Sequence, residues 1–380
     1  MDLGFSEMQQ MLKSSAREFL SQECPRTLVR EMEADPRGFT DEIWRKIVNL
    51  GWPGVAFPEQ YGGTGGDFLD LAVLLEEMGK ALLPGPFFST VVLGGLTVLD
   101  AGTEAQRRDL ITRICAGQLL LTLALTETSA TYEPWGVDTR AIRQGDSYRI
   151  NGTKLFVPDA HTADLILVAA RTTGDIDPAH PDQGITLFLV PANSPGLTVD
   201  QLRTISVDRQ CAVILNDVSV PASSVLGPVD GGWPIIQRAL HRAIAGQCME
   251  MLGGADAVVE LTVAYAKQRA QFGRPIGTFQ AVQHHCANMA TDVEGCRQIA
   301  YQAAWKVASG GPAHREVAMA KAWISAAYRN VCNTAHQCHG AIGFTKEHDL
   351  QLYTRRAKVQ ELNYGDEHWH KEMALRQIEA

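Results

Sequence analysis

Apolar residues recur every three or four positions from Ile236 to Ala266. This spacing predicts one continuous helix of about 30 residues, about 45 Å long at 1.5 Å per residue. A helix of that length must bury its apolar stripe along most of its surface. The same period over residues 289–307 and 317–338 predicts further long helices that pack against it. The C-terminal part is therefore predicted to be a helical bundle, which could also associate with copies of itself.

The period of the apolar pattern changes near residue 120 and changes back near residue 232. Before residue 120 the spacing is helical, with Thr40 and Asp41 as a cap signal and Gly51 as a stop. We therefore predict an N-terminal helical domain over 1–120, a middle β domain (barrel or sandwich) over 121–232, and a four-helix bundle over 233–380. The predicted fold class is mostly α with a central β domain.

The middle part carries a hairpin signal at Asn151-Gly152. Alternating residues flank this pair at 147–150 and 153–157, and both positions of such a turn require positive φ. Apolar runs at 165–170, 185–190 and 212–215 predict further strands.

Composition narrows the classes of partner. The net charge is −9 and the pI is about 5.7, which argues against a nucleic-acid surface or an anionic membrane as main partner. No apolar run reaches the roughly 18–20 residues needed to span a bilayer, and the first residues carry no apolar signal segment. A cytoplasmic location is therefore expected.

Cysteine and histidine usage predicts buried free thiols and no metal site. The chain has 8 cysteines without a Cys-x-x-Cys pair. The groups His284-His285-Cys286 and His336, Cys338, His339 fit no common zinc spacing.

Several motifs follow one another in a defined order. The segment from Arg269 to Gln280 reads RAQFGRPIGTFQ, and QCHGAIGFT begins about 65 residues later at Gln337. HDLQLYTRRAK follows from His348, while ALTE from Ala124 and INGTK from Ile150 stand in the middle part. In order and spacing, and over nearly the whole chain, these motifs resemble the acyl-CoA dehydrogenase family.

The resemblance implies a homotetramer or an α2β2 assembly with FAD between the β domain and the C-terminal bundle, and with the adenine-pyrophosphate end reached from a neighbouring subunit. An arginine fork can pair with a pyrophosphate, apolar side chains can cover adenine, and glycine permits a close backbone approach. The positions carried over for these roles are Arg269, Phe272, Ile276, Phe279, Gln280, Gln337 and Gly340. In the β domain the backbone at Leu125 and Thr126 would meet the polar edge of the flavin, with Phe156 beside the ring. Asp366 is a further cofactor-binding candidate.

The reaction implied by the resemblance is α,β-dehydrogenation of an acyl-CoA thioester to 2-enoyl-CoA. A carboxylate removes the α-proton while the β-hydrogen leaves as hydride to the flavin. Electron-transfer flavoprotein is the electron acceptor that the resemblance implies.

The sequence departs from the family at the base. A Glu followed by Gly is common there, and alignment on Gly365 puts Tyr364 in that position. A phenol has a pKa near 10 and is a poor proton acceptor at neutral pH. The nearby Glu361 and Glu367 are predicted to be solvated charges on helix faces. Some relatives place the base on the long helix, where His241 stands next to Arg242, so His241 is a second catalytic candidate.

Other departures lie near the expected flavin. The run Thr126–Thr131 lacks the glycines that the family often has, Pro158 stands where relatives tend to carry a threonine, and Ala341 replaces a glycine. The intact segments, in contrast, are those that serve a neighbour's FAD. This pattern, with Asp366 and His370, resembles the smaller, base-lacking subunit of bacterial α2β2 acyl-CoA dehydrogenases that degrade steroid side chains and dicarboxylic acids.

Three hypotheses follow from the sequence. The leading one is such a partner subunit, with the base supplied by a homologous Glu-bearing chain. The second is a homotetrameric dehydrogenase that uses His241 or another base. The third is a flavin monooxygenase or a desulfinase-like lyase of the same fold, which needs no α-carboxylate base.

Overall fold

The computed structural model describes residues 4–174 and 176–379. A central β-sheet lies in the chain between two helical regions, which confirms the predicted fold class. The helices are α1 Glu7–Glu23, α2 Arg26–Ala34, α3 Asp41–Asn49, α4 Phe68–Ala81, α5 Leu96–Ala101, α6 Glu104–Cys115, α7 Trp233–Gln268, α8 Gln280–Ala308, α9 His314–His339, α10 Leu350–Leu362 and α11 Glu367–Glu379. The strands are β1 Leu121–Ala124, β2 Arg140–Gln144, β3 Ser147–Pro158, β4 Leu165–Arg171, β5 Ile185–Pro191, β6 Leu197–Gln201, β7 Gln210–Pro221, β8 Val225–Leu226, β9 Ala270–Gln271 and β10 Arg274–Pro275.

Two packing units divide the chain. One, which we call the bundle unit, draws its described residues from Met1–Glu31, Phe68–Leu83 and Ile244–Ala380. The other, the sheet unit, consists of Met32–Asp67 and Pro84–Ala243. The predicted domain boundaries near residues 120 and 232 mark where the periodicity of the sequence changes. They stay a prediction, because each packing unit contains residues from more than one of the three predicted domains.

The long helix predicted from the apolar stripe is confirmed as α7, with 36 residues. The cap signal before α3 is also confirmed, because the Thr40 hydroxyl accepts a hydrogen bond of 3.2 Å from the Ile43 N–H. This bond satisfies one of the amide groups that a helix start leaves without an intrahelical partner. Gly51 follows α3 with φ +74°, a conformation that glycine adopts without steric cost.

An eight-stranded sheet forms the core of the sheet unit, in the order β6-β7-β3-β2-β4-β5-β8, with β1 paired to β4 in parallel. The long pair β3 and β7 is antiparallel. Its inward side chains, such as Ile150, Val213 and Val218, are fully buried with Val168 and Phe188. Alternation of buried and exposed residues along β3 therefore fixes which face of that strand meets the core.

The hairpin predicted at Asn151-Gly152 is wrong. These residues lie inside β3, and the turn lies at Gly145-Asp146 between β2 and β3, where Gly145 has φ +61°. A register shift interrupts the pairing with β7 at Asn151, whose side-chain oxygen accepts from the Asp217 N–H at 2.8 Å. A Cβ on Gly152 would lie 2.3 Å from the Thr139 hydroxyl, so this glycine serves close packing in mid-strand.

Helices α4 and α7 touch through two glycines in the bundle unit. A Cβ on Gly79 would lie 2.1 Å from the Glu250 carbonyl oxygen, and a Cβ on Gly253 would lie 1.9 Å from the Glu76 carbonyl oxygen. No side chain fits at either position, so the helices cross at backbone contact. Lys80 then reaches α7 and forms ion pairs with Asp256 and Glu260.

The cysteines are all free, and five of the eight are buried. Burial raises the pKa of each thiol, to about 12 for Cys248, Cys296 and Cys332. Among the helices of residues 4–174 and 176–379, none combines the length and the apolar character needed to cross a bilayer.

The α4–α7 contact predicts that Gly253→Ala destabilises the protein by about 3 kcal/mol, at the upper end of typical overpacking costs, because the added methyl would meet main-chain atoms. The midpoint of urea unfolding measures this loss. Gly295→Ala in α8 is the matched control, since its Cβ would lie 3.4 Å from the Trp323 ring, an ordinary contact. That variant should gain up to about 1 kcal/mol from helix propensity. Equal unfolding midpoints for the two variants would contradict the backbone contact.

Candidate functional site

The first part of the candidate site is the chain that leaves β1 in the sheet unit. Leu125 and Thr126 are buried there, and the Thr126 carbonyl accepts from the Leu155 N–H at 2.8 Å. The Lys154 ammonium is fully buried and donates to the Leu125 carbonyl at 3.1 Å and to the Glu127 carboxylate at 2.6 Å. Lys154 therefore fixes the backbone at Leu125, and the Leu155 N–H fixes it at Thr126.

Glu127 completes this arrangement by holding the next loop. Its carboxylate accepts from the Asp138 N–H at 3.0 Å and from the Thr139 N–H at 3.0 Å. A buried carboxylate needs such donors and a counter-ion, because desolvation otherwise makes its charge costly. Lys154 and Glu127 thus form a buried ion pair whose hydrogen bonds connect β1, β3 and the loop before β2.

A β-bulge in β3 turns Phe156 outward. Lys154 pairs with Val213 and Val157 pairs with Cys211, so β3 has one residue more than β7 in this stretch. Phe156 has φ +54°, and its ring is 51% exposed. Non-glycine residues with positive φ are uncommon and concentrate at functional sites. The position that the resemblance gives for a flavin-side aromatic thus has an exposed ring on a strained backbone.

The departures from the family have structural counterparts next to this bulge. Ala130 has φ +53° in the loop after β1. The chain therefore turns there with an alanine, although this loop lacks the glycines that are common in the family. Pro158 cannot donate a hydrogen bond, and its carbonyl accepts from the Thr122 hydroxyl at 2.7 Å.

The second part of the candidate site is a small hairpin after α7 in the bundle unit. Gln271 pairs with Arg274 across a two-residue turn, Phe272-Gly273, in which both residues have positive φ. The Phe272 ring is 92% exposed and stands 6.1 Å from the Phe279 ring, edge to face. The segment from Arg269 to Gln280 therefore carries its five candidates on one exposed hairpin and the helix start that follows it.

The C-terminal end of α9 lies next to this hairpin. Tyr265, one helical turn before Arg269, stacks on His339 with ring centroids 4.5 Å apart. Gln337 and Gly340 are exposed at this end, and Gly340 has φ +65° with nothing within 4 Å of a Cβ. The structure thus brings the Arg269 and Gln337 motifs together at one end of the bundle unit.

Three histidines support the turn at Gly340. The ring of His348 stands 4.8 Å from that of His339 and accepts from the Leu350 N–H at 3.2 Å. His336 shares a hydrogen bond of 2.8 Å with the Thr354 hydroxyl and stacks on Phe344. Burial lowers the pKa of all three imidazoles below the ordinary value. They are therefore neutral at pH 7, as the acceptor role of His348 requires.

Tyr364 and Asp366 lie on the turn between α10 and α11, also in the bundle unit. Tyr364 has φ +59°, and its carbonyl accepts from His370 at 2.9 Å. The Asp366 carboxylate accepts from the Trp369 N–H at 2.9 Å and so caps α11. Lys321, fully buried in α9, donates to the last carbonyls of α10, Gln360 at 2.5 Å and Glu361 at 3.0 Å, and burial lowers its pKa to about 8.

The expectation of a solvated Glu361 is wrong. Its side chain is buried and forms ion pairs with Arg329 and Lys358. Glu367 is half-buried and pairs with Arg329 at 2.9 Å and with Lys371. Glu361 can be recognised in the sequence as a carboxylate near the turn. Its partner Arg329, however, lies more than 30 residues earlier, in α9, so no local pattern predicts the ion pair.

His241 lies in α7, in the sheet unit, next to Arg242, which donates to the Leu96 carbonyl at 3.2 Å. Within the part of the chain that the structure describes, no three His, Cys, Asp or Glu side chains are arranged to hold a metal ion. The candidates therefore form separate groups: Leu125, Thr126, Phe156 and His241 in the sheet unit, and the remaining candidates in the bundle unit.

The group in the bundle unit fits the chemistry of a nucleotide. The exposed Phe272 stands in a segment with two exposed arginines, Arg269 and Arg274, which suits a ligand that is both planar and anionic. Free space over Gly340 allows a ligand to approach the backbone there. The sheet unit, considered by itself, offers the exposed aromatic face of Phe156. Sequence reasoning missed Lys154, Tyr265 and Lys321 as supports, although Tyr265 has the i,i+4 spacing to Arg269 that could have shown it.

Comparison with known proteins identifies similar chains over the full length. Three family models match: acyl-CoA dehydrogenase N-terminal domain over residues 6–118, middle domain over 122–218 and C-terminal domain over 230–379. A probable acyl-CoA dehydrogenase of Bacillus subtilis, YngJ, is 32% identical, with 100% of both chains covered. Butyryl-CoA dehydrogenase of Megasphaera elsdenii has a TM-score of 0.92 at 29% identity, with 100% of both chains covered. A chain of the ChsE4-ChsE5 complex of Mycobacterium tuberculosis has a TM-score of 0.89 at 29% identity, covering 100% of this chain and 99% of that one.

The buried pair predicts that Lys154→Met destabilises the protein by about 3–5 kcal/mol, because Glu127 would keep its charge without a counter-ion. Denaturant unfolding measures the loss. The double variant Lys154→Met/Glu127→Gln should recover part of it, since the amide still accepts from the Thr139 N–H and carries no charge. A double variant less stable than the single one would show that the pair is not the source of the effect.

The histidine cluster predicts that the free energy of unfolding decreases as pH falls below about 6.5, the usual imidazole pKa. The folded pKa values are lowered, so the unfolded chain binds more protons in this window and acid favours unfolding. Urea midpoints at pH 7.5 and 5.5 measure the change. His339→Phe, which keeps a ring against Tyr265, should reduce the pH dependence; an unchanged slope would place the titration elsewhere.

Proposed function

Because the chain belongs to the acyl-CoA dehydrogenase family, we propose that it is the FAD-binding, base-lacking subunit of a heterotetrameric (α2β2) acyl-CoA dehydrogenase. The assembled enzyme removes an α-proton and a β-hydride from an acyl-CoA thioester and releases a 2-enoyl-CoA. A homologous chain with a glutamate supplies the base. The observation that carries the proposal is Tyr364 at the position of that glutamate.

The charges around Tyr364 support a site without its own base. Of the three neighbouring carboxylates, Glu361 and Glu367 are ion-paired with Arg329, and Asp366 accepts from the Trp369 N–H as the cap of α11, so each already has a partner. Lys321 and His370 donate to the backbone on either side of the turn. These bonds hold a rigid turn, and a phenol on it can donate a hydrogen bond to a ligand but accepts an α-proton poorly.

FAD is the cofactor of the family, and when bound it accepts the β-hydrogen as hydride. The exposed segment from Arg269 to Gln280, with Gln337 and Gly340, would bind the nucleotide end of the FAD of a neighbouring subunit. Leu125 and Thr126 would offer main-chain groups to the ring edge, and Phe156 would cover one face. Lys154 and Glu127 would keep that main chain in place.

Assembly with a second, related chain is part of the proposal. The similarity to a chain of the ChsE4-ChsE5 complex supports it, since that complex has two different components. The sequence supports it as well, because the segments proposed to bind the nucleotide (269–280 and 337–344) match the family's motifs, while Tyr364 stands where the family commonly has its glutamate base. Electron-transfer flavoprotein as electron acceptor, an acyl-CoA from steroid side-chain or fatty acid degradation as substrate, and a cytoplasmic location are further parts of the proposal.

Co-expression with a homologous chain that keeps the glutamate tests the proposal. A general base contributes roughly 10²–10⁴ in rate. Acyl-CoA turnover of the isolated chain should therefore be at least about 100-fold below that of the mixed assembly. In the mixed assembly, changing the homologue's glutamate to glutamine should abolish turnover, while Tyr364→Phe in this chain should leave it unchanged. An artificial electron acceptor and the absorbance of the enoyl thioester provide the measurement.

Other outcomes separate the alternatives. Full dehydrogenation by the isolated chain would end the partner-subunit proposal, and its loss in His241→Ala would favour the homotetramer with an unusual base. Oxygen consumption coupled to reduced flavin, without enoyl-CoA formation, would indicate the monooxygenase.

A further inference from the structure

The segment Phe156–Asp159 at the end of β3 is strained at both ends. Phe156 has φ +54° and Asp159 has φ +53°, and neither is a glycine. Such residues persist only where the surrounding structure over-determines the backbone. The contacts of this segment should therefore show what holds Phe156 outward.

Three hydrogen bonds from other elements fix the segment behind Phe156. The Ser89 hydroxyl donates to the Asp159 carboxylate at 2.6 Å, and the Thr122 hydroxyl donates to the Pro158 carbonyl at 2.7 Å. The Asp159 N–H donates to the Arg209 carbonyl at 2.8 Å. All of these residues belong to the sheet unit.

The two hydroxyl donors are buried. Ser89 is 1% exposed and lies in the π-helical segment Phe88–Gly95, whose side chains from Ser89 onward are all buried. Thr122 is fully buried in the parallel strand β1. A hydroxyl packed in this way has few orientations, and it limits the positions that its acceptor can take. The Ser89–Asp159 bond therefore ties the strained end of β3 to the packed segment Phe88–Gly95.

We propose that Ser89 and Asp159 form a clamp that positions the Phe156 ring at the flavin. Ser89 and Asp159 are positioning residues, because they act on the ring through the Val157-Pro158 backbone. The proposal rests on the proposed function in one respect, namely that Phe156 faces the flavin. The clamp assigns a role to Asp159, a residue that neither the motifs nor the comparisons single out.

The clamp is tested first without flavin, by ¹⁹F NMR of the full chain labelled with 4-fluorophenylalanine. The chain has 12 phenylalanines, and the resonance lost in Phe156→Leu identifies the reporter. Ser89→Ala and Asp159→Ala should each shift or sharpen this resonance, and Ser89→Ala/Asp159→Ala should give the change of a single variant, because either removes the same bond. An unchanged resonance in both single variants overturns the clamp.

Asp217→Ala is the matched control. Asp217 also has positive φ, +57°, in the same sheet, but its carboxylate pairs with the exposed Arg149 at 2.9 Å. Its variant should leave the Phe156 resonance in place, and a shift equal to that of Asp159→Ala would overturn the proposal. Should Asp159→Ala not fold, Asp159→Gly replaces it, since glycine accepts this φ and removes the carboxylate.

The second measurement uses the assembly loaded with FAD. A displaced Phe156 ring changes the quenching of flavin emission, so Ser89→Ala and Asp159→Ala should alter that emission by the same factor, two-fold or more, and the double variant should add nothing. Emission unchanged in both single variants while FAD stays bound overturns positioning at the flavin. Failure of every assembly to bind FAD overturns the proposed function instead, and the ¹⁹F measurement still decides the clamp.

Discussion

The contact between α4 and α7 at Gly79 and Gly253 determines which charges the bundle unit can bury. Because the two backbones touch, Lys80 on α4 reaches Asp256 and Glu260 on α7. Glu76, on the same face of α4, is buried and pairs with Lys13, Arg297 and the Tyr301 hydroxyl. Buried carboxylates are tolerated only with such complete partners. If the two helices crossed at a greater distance, these charged groups would separate and each would be solvated by water. Helices α1 and α8 would then lose the ion pairs and hydrogen bonds that join them to Glu76 on α4.

Buried, fully partnered charges also support the candidate site. They do not belong to the site themselves, but they hold the backbone of the residues that do. Lys154 and Glu127 fix the chain at Leu125, and Lys321 fixes the last turn of α10 before Tyr364. None of these supports is among the candidates for ligand contact. The residues proposed to meet a ligand, such as Phe156 and Phe272, are exposed, whereas their supports are buried. The turn that carries Tyr364 is likewise held by bonds to its backbone, from Lys321 and His370.

Periodicity predicted the helices and most of the sheet, because burial of one face imposes a period on each element. The long helix α7 was predictable in this way. The position of the β2–β3 turn was not, because Asn151-Gly152 has the sequence of a hairpin turn although it lies inside β3, where Gly152 packs closely against Thr139. The site candidates came from motif order alone. Tyr265 had a local signal in its spacing to Arg269, but supports that join distant segments could not be predicted. Arg329 and Glu361, for example, are far apart in sequence, and local patterns carry no information on such pairs.

The burial of the thiols gives this chain a form of chemical protection. Oxidants such as peroxide attack thiolate, and raised pKa values keep the sulfur protonated. A reduced flavin exposed to air is a local source of such oxidants. The five buried cysteines of the folded chain are therefore poor targets and would become vulnerable only where the packing around them opens. Oxidation at these five thiols would mark molecules that had already lost their native packing.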